Sequence, residues 1–145
     1  MGERYLKSIR LLAECMQGFE RWSGEHVRQL GLTHAQFDII ATLGNTAGMS
    51  YKELGERTLI TKGTLTGVIE RLEQKGLVER ERNADDKRSF FVRLTTAGEQ
   101  LFAEVFPVIV AQGVELFSGY SDADYEALER TLAGLKATIS AGTPL

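Results

Sequence analysis

Cysteine occurs once, at Cys15, which excludes an intramolecular disulfide framework and any multi-cysteine metal site. Histidine occurs twice, at His26 and His34, too few for an ordinary zinc centre, so neither a metal nor a cofactor is expected. No apolar run approaches the ~20 residues needed to cross a bilayer. The opening stretch MGERYLKSIR is too polar for a secretory signal, so a cytoplasmic protein with no membrane role is expected. The phosphate-binding glycine-lysine loop, Gly-x-Ser-x-Gly, His-Glu-x-x-His and Cys-x-x-Cys are all missing, and Cys15 has no evident histidine partner. An enzyme is therefore not expected.

What is present suits a small folded protein: 145 residues, 43% hydrophobic and 26% charged. That length allows one domain, or two small subdomains sharing a core. The net charge of −3 is unevenly spread. Between Lys52 and Arg93 stand ten basic and eight acidic residues, against seven and twelve elsewhere, so the middle is the basic part. Binding to nucleic acid needs a local positive face, not a basic protein overall.

The hydrophobic period predicts the elements. Tyr5, Ile9, Leu12, Met16 and Phe19 form one stripe of a helix over 5–30. Thr33 and Gln36 have the form of a capping box, opening a helix that ends near Gly44, and Ser50 with Glu53 is a second box before a short helix to about Thr58. Thr61 is the expected cap of a helix over 62–75, with Leu65, Val68, Ile69 and Leu72 inward and Gly76 as a left-handed stop. The period then falls to two. Strands are predicted at 77–82 and 89–94, joined by a charged turn. Thr95 or Thr96 starts another long helix, with a kink expected at Pro107. Ser121 caps the last helix, whose Tyr125, Leu128, Leu132, Leu135 and Ile139 make a narrow heptad seam.

The expected fold is mainly α with a small β-hairpin: a winged helix-turn-helix lobe at 33–95 within a single 1–145 domain. The helices at 1–32 and 96–145 are expected to pair with each other and across a two-fold axis.

Leu54-Gly55-Glu56-Arg57, Gly63-Thr64-Leu65-Thr66, the run from Arg71 to Arg80, Asp86-Lys87-Arg88-Ser89 and Leu94-Thr95-Thr96-Ala97-Gly98 occur in that order. This series resembles the multiple antibiotic resistance regulator (MarR) family over nearly the whole chain. The resemblance implies a homodimeric winged helix-turn-helix transcriptional regulator, usually a repressor, bound to palindromic double-stranded DNA.

The residues agree with that implication. On the 62–75 helix, Lys62, Thr64, Thr66 and Arg71 are left for the major groove, where threonine and lysine have suitable contacts. Gly63 and Gly67 each cost roughly 1 kcal/mol against alanine. Close approach to DNA, or to a neighbouring helix, would account for them. Asp86-Lys87-Arg88 matches the family's wing motif, which implies Arg88 as a minor-groove reader held by Asp86. Lys87 and Arg82 are placed on phosphates, and Ser50 and Lys52 at a helix N-terminus as a further phosphate contact or as ordinary capping and surface charge.

The resemblance also implies a pocket for a small aromatic effector between the DNA-binding lobe and the dimerisation helices. Phe19, Trp22, His26, His34 and Phe37 are the candidates, and plain core packing is the other reading of them. Cys15, on the first helix, is either a peroxide-sensing thiol like those of some family members or a buried inert one. The competing function is a winged-helix protein-interaction module that never touches DNA. A wing-tip arginine held by an aspartate argues against it.

Overall fold

Helix starts in this chain are fixed by side chains the sequence advertises. The computed structural model describes residues 2–58, 60–82, 84–85 and 90–145, with the side chain of Lys62 left aside. The elements are α1 (Arg4–Gln29), α2 (His34–Leu43), β1 (Met49–Ser50), α3 (Tyr51–Thr58), α4 (Lys62–Gln74), β2 (Val78–Arg82), β3 (Phe90–Leu94), α5 (Thr96–Leu116) and α6 (Asp122–Ser140). This is a winged-helix arrangement: mostly helix, with one small antiparallel sheet.

At the start of α2 the Gln36 N–H donates to Thr33 Oγ1 at 3.2 Å, and the Thr33 N–H donates to Gln36 Oε1 at 3.1 Å. Such reciprocal capping is worth about 1 kcal/mol. Ser121 and Asp124 repeat the motif at α6. The hydrogen bonds to the Asp124 carboxylate, first that from the Ser121 backbone N–H, hold its pKa below the usual aspartate value. Ser50 caps α3 through the Glu53 N–H at 3.2 Å, while the Glu53 carboxylate turns to Arg57. Thr61 departs from expectation. It occupies the N-cap position of α4, but its hydroxyl donates to Thr64 Oγ1 at 3.2 Å and caps no backbone N–H. Thr95 rather than Thr96 caps α5, accepting from the Gly98 N–H while donating to the Gly76 carbonyl at 2.6 Å.

The chain forms two compact units, one running to Ile109 and the other Val110–Leu145, the division falling inside α5. The first holds the core. Ile39, Ile40 and Leu43 of α2, Leu54 of α3, and Leu65, Ile69 and Leu72 of α4 are essentially inaccessible. Val27, Val78 and Val92 join them. Each such side chain stabilises the fold by roughly 1.5–3 kcal/mol relative to exposure. Phe102 lies so close over Gly44 that a Cβ there would collide with its ring. A Cβ on Gly98 would likewise collide with the Leu77 carbonyl oxygen, which is why a glycine follows Thr95-Thr96-Ala97.

β3 is the central strand of an antiparallel sheet ordered β1-β3-β2. Its register with β2 pairs Val78 with Leu94 and Arg82 with Phe90. The hairpin is as the alternation predicts. β1 is an addition: Met49 and Ser50 pair with Val92 and Phe91. Two residues are too few to show a period, so the sequence gives no sign of this strand.

In the second unit α6 has no buried residue. Tyr125, Leu128, Leu132 and Ile139 of the heptad seam are exposed, and Leu135 is half-buried. α5 runs unbroken through Pro107.

Candidate nucleic-acid interface

α4 presents two unlike faces. Leu65, Ile69 and Leu72 are buried, and Val68 packs against the core. Gly63, Thr64, Thr66, Gly67 and Arg71 are exposed. A Cβ built on Gly63 or on Gly67 meets no described atom within 4 Å. Packing against a neighbouring helix of this chain therefore does not explain either glycine. The outward face of α4 is short, polar and low, on a helix about 20 Å long at 1.5 Å per residue. That surface is compatible with entry into a DNA major groove, which is ≈ 12 Å wide.

Two further elements flank this face. Ser50 is half-buried with its hydroxyl oxygen engaged as the α3 cap, and Lys52 on the first turn is exposed. On β2, Arg82 is exposed and its guanidinium lies over the Phe90 ring, 5.2 Å from the centroid. The wing-tip candidates Asp86, Lys87 and Arg88 lie outside the described residues, as does the side chain of Lys62.

Between these elements sits a side chain the sequence reading passes over. Arg80 occupies the inward face of β2 beside Val78. Its Nε and Nη2 donate to the two carboxylate oxygens of Glu73 at 3.3 and 3.0 Å, and Nη1 donates to Tyr51 Oη at 3.3 Å. Its guanidinium carbon stands 4.9 Å from the Phe90 centroid, and Glu70 is 3.9 Å away. Hydrogen bonding to Glu73, then to Tyr51, raises the pKa of Arg80 further above its ordinary value, so it stays charged. The available signal was an arginine in phase with buried Val78 and Val92: a core-facing charge needs partners.

A separate cleft of about 460 Å³ opens between α1 and the start of α2. Gln17, Glu20, Arg21, Arg28, Thr33 and His34 line it. His34 Nε2 is buried and has no hydrogen-bond partner among the described residues. Burial raises the pKa of Asp38, one turn further along α2, and the nearby His34 partly offsets this. Among the described residues Arg21 has no ion-pair partner, whereas Arg28 donates to the Gly24 carbonyl and reaches Glu25. Of the aromatic and histidine candidates, His34 alone lines this cleft. Phe37 packs against the core, Phe19 and Trp22 face each other with centroids 5.7 Å apart, and His26 is half-buried. Cys15 is exposed on α1. Lys75, just past α4, donates to the Gly31 carbonyl at 2.7 Å, two residues before Thr33.

A model of the MarR family matches residues 32–90, which span α2 to the start of β3. The chain is 27% identical over 139 residues to the HTH-type transcriptional regulator MhqR of Bacillus subtilis (strain 168), covering 94% of this chain and 96% of that protein. The matched lobe is that of the MarR family.

With this lobe and these relatives the chain is a DNA-binding transcriptional regulator, and the reading as an interaction module that never touches DNA is set aside. The fold likeness extends well beyond the matched lobe. AbsC, a MarR-family regulator from Streptomyces coelicolor, superimposes with a TM-score of 0.82 at 24% identity, covering 94% of this chain and 95% of its own. NadR, solved in complex with 4-hydroxyphenylacetate, superimposes at 0.70 with 26% identity, covering 86% of this chain and 88% of its own. These relatives are regulators, not enzymes. No helix among the described residues is long and apolar enough to cross a membrane.

Proposed function

We propose that this chain is a cytoplasmic, non-catalytic repressor of the MarR family that binds palindromic double-stranded DNA as a homodimer and releases it when a small aromatic acid is bound. The exposed face of α4 carries the reading. Gly63 and Gly67 give up helix stability without an internal packing reason, and a duplex pressed against the helix supplies one.

In this account Lys62, Thr64, Thr66 and Arg71 meet base edges and nearby phosphates in the major groove. Ser50, Lys52, Arg82 and Lys87 set position on phosphates. Arg88, steadied by Asp86, enters the minor groove. The lobe at 33–95 is the reading head, and the helices at 1–32 and 96–145 form the two-fold contact. The exposed apolar residues of α1, α5 and α6 support that contact.

The effector site is the cleft at the start of α2. Arg21 and Arg28 suit a carboxylate, and the orphaned His34 Nε2 suits a polar ligand atom. NadR, with its aromatic acid, supports the ligand class. The Lys75–Gly31 hydrogen bond joins the end of α4 to the loop entering this cleft. A ligand that favours another setting of that loop shifts the spacing of the two reading heads.

Selection of bound sequences from random DNA tests the whole reading. It should return an inverted repeat whose retention falls steeply with salt and is relieved by an aromatic carboxylate. Retention of an asymmetric motif, or binding indifferent to salt, contradicts it.

A further inference from the structure

DNA recognition by two unlike elements needs more than the elements themselves. A helix in one groove and an arm in the next must be held at one spacing, or only one of them docks. In this chain the three proposed DNA-facing elements converge on a single guanidinium. Glu73 belongs to α4, Tyr51 opens α3 between Ser50 and Lys52, and Phe90 is the β3 partner of Arg82 at the end of the wing's ladder. Arg80 touches all three.

We propose that Arg80 is a positioning residue for DNA recognition: it locks α4, the start of α3 and the wing into one register on the duplex. The inference rests on the assignment of those elements to DNA contact.

The chemistry fits a spacer better than a stabiliser. Replacing a half-buried ion pair with apolar side chains is often neutral for stability or even favourable, so the pair is weak evidence of a stability role. What a planar fork supplies is direction. Two parallel bonds to the Glu73 carboxylate fix both its distance and its plane, which a single ammonium point charge does not. The third donor reaches Tyr51, and the face of Phe90 closes the remaining side. The Arg80 side chain is 20% exposed and that of Glu73 39%, so these bonds are partly shielded from water. Arg80 also neutralises the side of α4 that carries Glu70 and Glu73, two carboxylates that would otherwise face a phosphate backbone. Phe90 is shared with Arg82, so a shift at the joint carries straight to a proposed phosphate contact.

The test compares full-length Arg80→Met and Arg80→Lys with the parent chain. Affinity is measured for the selected operator and for an unrelated duplex of equal length, at one salt concentration, with thermal melts alongside. Arg80→Met should weaken operator binding by roughly tenfold or more, the loss expected when a bidentate base contact is misplaced. Binding to the unrelated duplex should stay within about twofold, because the phosphate-facing cations remain. Arg80→Lys should fail to restore the ratio, since it returns the charge without the fork. Equal losses on both duplexes would make Arg80 a phosphate contact or a fold support and overturn the proposal, as would an unchanged ratio. If Arg80→Met does not fold, Tyr51→Phe removes only one bond and should lower the same ratio by a smaller factor; no change there overturns the proposal. Thr66→Val is measured in parallel. If it leaves operator affinity untouched, the assignment of α4 fails; if it weakens the operator while Arg80→Met does not, positioning alone fails.

Discussion

The unit running to Ile109 and the unit Val110–Leu145 are built from similar helices with apolar stripes, yet they use those stripes oppositely. All the buried apolar side chains among the described residues lie in the first. In the second, α6 buries nothing, and Leu132 on its seam is 41% exposed. A heptad seam left open in a single chain is a surface awaiting another helix. α1 shares this character. Its Tyr5, Ile9, Met16 and Phe19 are exposed although they follow a strict helical period. The contrast teaches that apolar periodicity marks a face to be covered, but not which chain covers it. In the proposed dimer the lobe is stable on its own core, and the flanking helices acquire theirs from a second copy.

Leu132→Asp is the hardest blow to that contrast. A carboxylate in the seam should convert the dimer to a monomer, as read by sedimentation, and take operator binding with it, while the lobe keeps its helical signal. A dimer of full affinity would mean that the seam is not the contact.

Next in size is Ile40→Ala in the core of the first unit. It should destabilise unfolding by about 2–5 kcal/mol, with a loss that does not depend on protein concentration. Leu128→Ala, at an exposed seam position, should instead lower the melting temperature in a concentration-dependent way. The same concentration dependence for both variants would erase the distinction between the units.

The smallest effect is the sharpest. Gly67→Ala adds a Cβ that meets nothing among the described residues, so α4 should become more stable by up to about 1 kcal/mol. Operator affinity should nonetheless fall, because the added methyl stands where the duplex approaches. Increased stability with unchanged affinity would remove the argument drawn from the two glycines.

Much of the fold was legible in the sequence because its signals are local. Thr33 with Gln36 and Ser121 with Asp124 form the capping boxes their spacing announces, and Gly76 adopts the left-handed conformation, φ +76°, expected of a helix stop. What escaped depends on partners distant in sequence. β1 exists because β3 offers it an edge, not because Met49 and Ser50 favour extension. Thr61 looked like a cap, but the hydroxyl of Thr64 is the nearer partner. Arg80 read as one more charge in an alternating strand, because Glu73 and Tyr51 become its neighbours only once the sheet folds onto α3 and α4. Nor does the period of α1 show that Arg21 and Arg28 line a cleft, since its other wall is the start of α2.

The central claim is that two copies of α4, one from each chain, read one duplex. Hydroxyl-radical and methylation footprinting of the selected operator, with the mass of the same complex, measures this directly. The account predicts two chains per site and two protected major-groove segments centred about one helical turn, ~10 bp, apart. A single chain on the DNA, or one unbroken patch of protection without two-fold symmetry, would contradict it.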